Sequence, residues 1–141
     1  MARAKIELPD HFLFSTEIEI RISDINYGGH LGNDSLLSIL QEARLRFLKH
    51  YGFSEENVAG FGIILADAVI IYKSQAYHGD VLKIEITAAD FSKHAFDMIY
   101  RISKSPAGRE VARAKTRIAF FDYQKNITVN IPQPFRTIFQ Q

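Results

Sequence analysis

Only one long stretch of this chain has the apolar spacing of a helix, residues 33 to 51, and nearly everything after it reads as strand. In that stretch Leu36, Leu37, Leu40, Phe47, Leu48 and Tyr51 recur at helical intervals, with Ala43 between them and Gly52 as a stop signal. Asn33, Asp34 or Ser35 is expected to cap its start, because a side-chain oxygen there accepts an otherwise orphaned amide. Before it, FSTEIEIRI (14–22) sets Ile18, Ile20 and Ile22 against Glu17, Glu19 and Arg21, the alternation of a half-buried strand. After it, GIILADAVIIYK (62–73) is almost continuously apolar, and LKIEITA (82–88), FDMIYRI (96–102) and VARAKTRIAFF (111–121) alternate. FSEENVAGF (53–61) reads as a loop or a single helical turn capped by Ser54, SPAG (105–108) as a turn, and the tail with Pro132 and Pro134 as irregular or a short edge segment. Short links between strands imply antiparallel neighbours. The expected fold class is therefore α+β, a five-stranded antiparallel sheet with one long helix against it. A strand apolar on both faces needs a second cover, which a partner subunit supplies, so a homo-oligomer is expected.

The totals narrow the field. At 141 residues the chain is expected to form one domain over 1–141. A formal charge of +1 gives no whole-chain field for nucleic acid or a membrane surface. With no cysteine there is no thiolate metal site and no Cys nucleophile, and the usage suits a reducing compartment. The first residues, MARAKIELPDHFLF, lack a signal-like apolar run, and no window approaches the ~20 apolar residues of a membrane span. A cytoplasmic location is the expectation. The five histidines show no close ligand spacing, so no metal site is expected, and there is no Walker or dinucleotide loop.

Residues 23–33, SDINYGGHLGN, gather three of the eight glycines beside a histidine and between Asp24, Asn26 and Asn33. Either this is a flexible connector, or helix amides, an imidazole and a carboxamide converge there on one ligand. Gly28 and Gly29 permit positive φ, or leave room for a ligand to approach the helix start. Asn26 is either an Asx-turn residue or a holder of water, and Asp24 shares its side if the chain stays extended. His30 is either a satisfied half-buried histidine or a partner of the ligand. Arg109, Arg113, Lys115 and Arg117 form a basic strip along one strand, most simply a solvated face, since a nucleic-acid groove needs aromatics on that same face.

The run R-x-S-D-x-N-x-x-G-H-L-x-N (Arg21–Asn33), LQEARLRFL (40–48) and YKSQAYHGD (72–80) resemble the 4-hydroxybenzoyl-CoA thioesterase family, whose domain is the hot-dog fold. The resemblance covers residues 14 to 125 and implies hydrolysis of a fatty or aromatic acyl thioester of coenzyme A or acyl-carrier protein by a homodimer or homotetramer. It implies no cofactor beyond the coenzyme A of the substrate. It also implies roles. The Asn33 backbone amide holds the oxyanion, Gly28 and Gly29 let the thioester approach, Leu36 and Leu37 line the acyl group, and Lys93 and His94 meet the coenzyme A phosphates, with Ser92 where a further basic residue often sits. The departure is Asn26, which stands where the family pattern D-x-D-x-x-G-H-x-N-N has its working aspartate; Gly32 replaces the first trailing asparagine. A neutral amide is a poor base and a poor nucleophile. The expected centre is thus Asn26 and Asp24 positioning water, His30 and the Asn33 amide at the carbonyl, and Glu42 on the helix as a minor carboxylate candidate.

Two rivals remain. A binding module retaining the acyl-CoA pocket without the chemistry would also carry Asn for Asp. An enoyl-thioester hydratase, resembling D-x-N-x-x-H, would need its histidine one residue earlier than His30, a displacement of ~3.5 Å of chain.

Overall fold

The computed structural model describes residues 3–140. Strand β1 (Phe14–Glu19) leads through one 3-10 turn (Ile22–Asp24) to helix α1 (Asn33–His50). There follow β2 (Gly62–Tyr72), β3 (Val81–Ala89), β4 (Ala95–Ser105), β5 (Glu110–Asp122), the two-residue β6 (Ile127–Thr128) and helix α2 (Gln133–Phe139). Every pairing is antiparallel, in the order β1-β3-β4-β5-β2, with β6 added to β5. The register builds apolar rows across the sheet: Ile86, Tyr100, Ala114 and Ile70 stand abreast on four strands, as do Ile84, Ile102, Ala112 and Tyr72. Small residues on β5 (Ala112, Ala114, Thr116) leave space on this face. The buried side of α1 (Leu36, Ile39, Leu40, Ala43, Phe47, Leu48) belongs to the same core. The expected arrangement, one long helix on an antiparallel sheet, is the one found.

Several local expectations are corrected. The first strand ends at Glu19, and Ile22, expected to share a buried face with Ile18 and Ile20, is 71% exposed. The chain turns instead because the Asp24 carboxylate accepts the Arg21 backbone N–H at 2.9 Å. None of Asn33, Asp34 or Ser35 caps α1: Gly32 is the cap residue, without a side-chain bond. Leu37 faces outward, and Ile39 takes its expected place in the core. Residues 53–61 form no helical turn, although the Ser54 hydroxyl does accept the Asn57 N–H at 3.1 Å. The tail is helical. Pro132 and Pro134 suit a helix start, and Phe135 and Phe139, four residues apart, close an aromatic cluster with Phe47, Phe96 and Phe120 at centroid distances of 4.8 to 5.4 Å.

One polar chain crosses this core. Arg44 donates to Glu55 at 2.8 Å and to the Tyr100 hydroxyl at 3.3 Å, and that hydroxyl lies 2.8 Å from Thr116 Oγ1. On the opposite face of the sheet two members of the basic strip are paired, Arg113 with Glu110 at 2.9 Å and Arg117 with Asp97 at 3.1 Å. The doubly apolar β2 is an edge strand, bulged between Leu65 and Asp67, and residues 65–68 at its centre are exposed. The second cover that its composition calls for is not supplied by the described residues.

Candidate functional site at the start of the long helix

The glycine loop is organised by Asn26. Its carboxamide oxygen accepts the backbone N–H groups of Gly28 at 2.9 Å and His30 at 3.3 Å, an Asx turn that leaves the amide nitrogen as its free group. The backbone closes the same turn, Asn26 N–H to the His30 carbonyl at 2.8 Å and Gly29 N–H to the Asn26 carbonyl at 3.0 Å. The two glycines serve different ends. Gly29 has φ +84°, the left-handed region, whereas a Cβ on Gly28 would press to 3.3 Å on the Asn26 oxygen. A Cβ on Gly32 would come within 2.9 Å of the Asp34 carboxylate.

From there the chain enters α1. Leu31 N–H donates to Ala76 O at 2.8 Å and Gly32 N–H to Asp24 O at 2.9 Å, and Leu36 N–H closes the first turn on Gly32 O at 3.1 Å. With no capping side chain, the Asn33 N–H has no acceptor among the described residues. It therefore carries the partial positive charge of a helix start.

Asn26, His30 and Asn33 line one cavity of about 340 Å³ with Leu31, Tyr72, Ser74 and Ala76. The Tyr72 hydroxyl donates to the Asn33 carbonyl at 2.9 Å; burial, and then the nearby Asp34 charge, hold its pKa above the ordinary tyrosine value. His30 is half-buried, its ring edge-on to Tyr77 at 5.4 Å. No carboxylate is among the residues lining this cavity.

The expected carboxylates lie elsewhere. Asp24 is buried and lines a second cavity, on the β1 side of α1, together with Glu42. Burial pushes the Asp24 pKa up, but hydrogen bonds from the Arg21 guanidinium (3.2 and 3.3 Å) and backbone N–H, with the Arg21 charge, outweigh it and leave the pKa lowered. The 3-10 turn thus parts Asp24 from Asn26, where an extended chain would have put them on one side. Glu42 is held by Arg46 at 2.7 Å. Leu36 is fully enclosed in the core, and Leu37 is outside on the helix; neither lines the cavity. Lys93 and His94 sit in the β3–β4 connection. Register puts this near Gly62 and Phe121, at the end of the sheet opposite Tyr72 and Ala112. Lys93 is exposed, and His94 Nδ1 is buried without a partner. Sequence reasoning missed Tyr72, Ser74 and Ala76 at the cavity and Arg21 on Asp24; the signal available was YKSQAYHGD, whose polar residues follow directly on a buried-type strand.

The sequence and the fold are matched in known proteins. A family model described as the thioesterase-like superfamily matches residues 20–139. The chain belongs to the thioesterase-like superfamily. Among individual proteins, a Synechocystis 1,4-dihydroxy-2-naphthoyl-CoA hydrolase is 27% identical over 127 residues, covering 88% of this chain and 92% of that one. The crystal structure of a 1,4-dihydroxy-2-naphthoyl-CoA thioesterase from Synechocystis superposes with a TM-score of 0.80 at 26% identity, covering 88% of this chain and 93% of that one. A DHNA-CoA thioesterase from Staphylococcus aureus shares the fold, with a TM-score of 0.77 at 18% identity over 88% of this chain and 84% of that one. The hot-dog fold is thereby that of this superfamily member, and thioester hydrolysis is its class of reaction. Its glycine loop and helix start fall inside the matched residues.

Proposed function

We propose that this superfamily member hydrolyses an aromatic acyl-CoA, on the pattern of the 4-hydroxybenzoyl-CoA thioesterases but without a carboxylate at the reacting centre. The observation that carries this reading is that Asn26, His30 and Asn33, whose N–H is uncapped, line one cavity. The thioester carbonyl points at the Asn33 N–H, where the helix start stabilises the charge that develops on oxygen. The Asn26 amide group and the imidazole hold a water. His30 takes its proton as the water attacks the carbonyl carbon, and returns it to the departing CoA sulfur as the tetrahedral intermediate collapses to the carboxylic acid. Aromatic substrates are favoured by the rings at the cavity, His30 and Tyr72 in its wall and Tyr77 against His30, and by the naphthoyl-CoA named for the Synechocystis relative.

Assembly completes the site. Antiparallel pairing of two β2 edges, each 11 residues and about 36 Å long, sets the Tyr72 end of one copy beside the Gly62 end of the other. The second copy's β3–β4 connection, with Lys93 and His94, then approaches the cavity mouth, where the coenzyme A phosphates emerge. The central exposed residues of β2 are covered by the same pairing.

The test is thiol release from benzoyl-CoA and hexanoyl-CoA, with binding measured on the same compounds. Release, faster with benzoyl-CoA, is expected. Saturable binding without release supports the binding module, which the lack of a carboxylate at the cavity also suits.

A further inference from the structure

We propose that Tyr72 is a positioning residue for the reaction: its hydroxyl, on the edge strand, steadies the first peptide of α1, which carries the free Asp34 amide next to that of Asn33. The inference rests on the thioesterase reading above. Three tethers locate this helix start, and two of them, at Leu31 and Gly32, hold backbone that precedes the helix. The third, from the Tyr72 hydroxyl, reaches into its first turn, on the Asn33 carbonyl at 2.9 Å. The peptide planes on either side of Asn33 are consequently held at their carbonyl ends, at Gly32 by the Leu36 N–H and at Asn33, whose peptide carries the Asp34 N–H, by Tyr72 in addition to the helix's own i+4 bond. Their N–H ends, at Asn33 and Asp34, are left without acceptors among the described residues.

A capping side chain would locate such a helix start at the expense of occupying one of these N–H groups. Gly32 has no side chain to cap with, so orientation comes from the carbonyl side, where Tyr72 adds to the helix's own bonds. The raised pKa of Tyr72 keeps its proton in place across the neutral range, so it remains a donor. Because Tyr72 also ends β2, the strand edge and the amides share one rigid connection. An oxyanion needs donors held in direction before charge develops, whereas a bound neutral carbonyl is far less demanding. Loss of the hydroxyl should therefore be read in the chemical step.

The experiment is Tyr72→Phe, which keeps the ring and its packing. With benzoyl-CoA, kcat is expected to fall about three- to tenfold, the scale of one lost hydrogen bond. KM, and inhibition by the non-hydrolysable ketone phenacyl-CoA, should stay within about twofold, as when an interaction made in the transition state is removed. The variant should remain folded at the assay temperature, as its Tm reports. An unchanged kcat, or a fall in kcat matched by a fall in Tm, overturns the positioning role while leaving hydrolysis by the wild type intact. A wild-type protein that releases no thiol from either acyl-CoA removes the thioesterase reading itself, and this role with it.

Discussion

The carboxamide oxygen of Asn26 accepts the backbone N–H of His30 at 3.3 Å, so the residue that the sequence resemblance sets in place of a working aspartate also shapes the loop that presents the imidazole. An aspartate can make the same turn, one oxygen taking the Gly28 and His30 N–H groups and the other replacing the free amide nitrogen. Asn26→Asp should therefore fold normally and place a carboxylate at the cavity. General-base assistance is typically worth about 10²–10⁴-fold, and thiol release from benzoyl-CoA should rise at least about tenfold. A fall would mean that the amide's donor group is itself required.

Asp24 is expected to act in stability and not in chemistry. Its folded pKa lies below the unfolded value because of Arg21, so its contribution is present above the unfolded carboxylate value and is lost as pH falls through the folded one. Asp24→Asn should lower Tm at neutral pH, and the gap to wild type should close as the pH drops below about 4. Its kcat should remain within a few-fold of wild type. Loss of turnover without loss of Tm would restore Asp24 to the reacting centre.

Arg44 is a structural charge. It links Glu55 to the Tyr100 hydroxyl through a core that is otherwise apolar. Arg44→Ala leaves that hydroxyl short of a donor and should cost on the order of 3 kcal/mol. Tyr100→Phe, which strips Arg44 and Thr116 of their shared partner, should cost about 1–3 kcal/mol. Denaturant unfolding of the two variants checks both values.

For assembly, the free β2 edge sets the expectation. Light scattering at micromolar concentration should show a dimer or tetramer and no folded monomer of 16.1 kDa. Leu65→Lys, at the bulge on the exposed stretch of that edge, should shift the population toward smaller species or lower yield. A folded wild-type monomer would contradict the pairing.

Lys93 offers a check on the same pairing. If the second copy's turn meets the coenzyme A phosphates, Lys93→Ala should raise KM for acyl-CoA and spare kcat. It should leave acyl-pantetheine, which lacks those phosphates, unaffected. Equal KM values would return Lys93 to the solvent.

Much of the fold was legible because period and length are strong signals. The single helical stripe and the alternating runs at 82–88, 96–102 and 111–121 all became the elements expected, with ends moved by one to three residues. What escaped were features decided by one local bond or by distant packing. The Arg21–Asp24 contact broke an apparently continuous strand at Glu19 and turned Asp24 away from Asn26. α2 hides behind two prolines that look like loop, and its reason to exist is an aromatic cluster with residues of α1, β4 and β5. At the site, spacing brought Asn26, His30 and Asn33 into view, since they are near in sequence. Tyr72 arrives from a strand 39 residues on from Asn33, and no periodicity reports such a bond.

The measurement that bears most directly on the central claim is steady-state thiol release from benzoyl-CoA by the wild type and by His30→Gln, with folding verified by Tm. The expected result is turnover by the wild type and a loss of about 10²–10⁴-fold in the variant, the usual worth of a proton-transfer group. Wild-type activity that His30→Gln leaves unchanged would contradict a centre built on the glycine loop without a carboxylate.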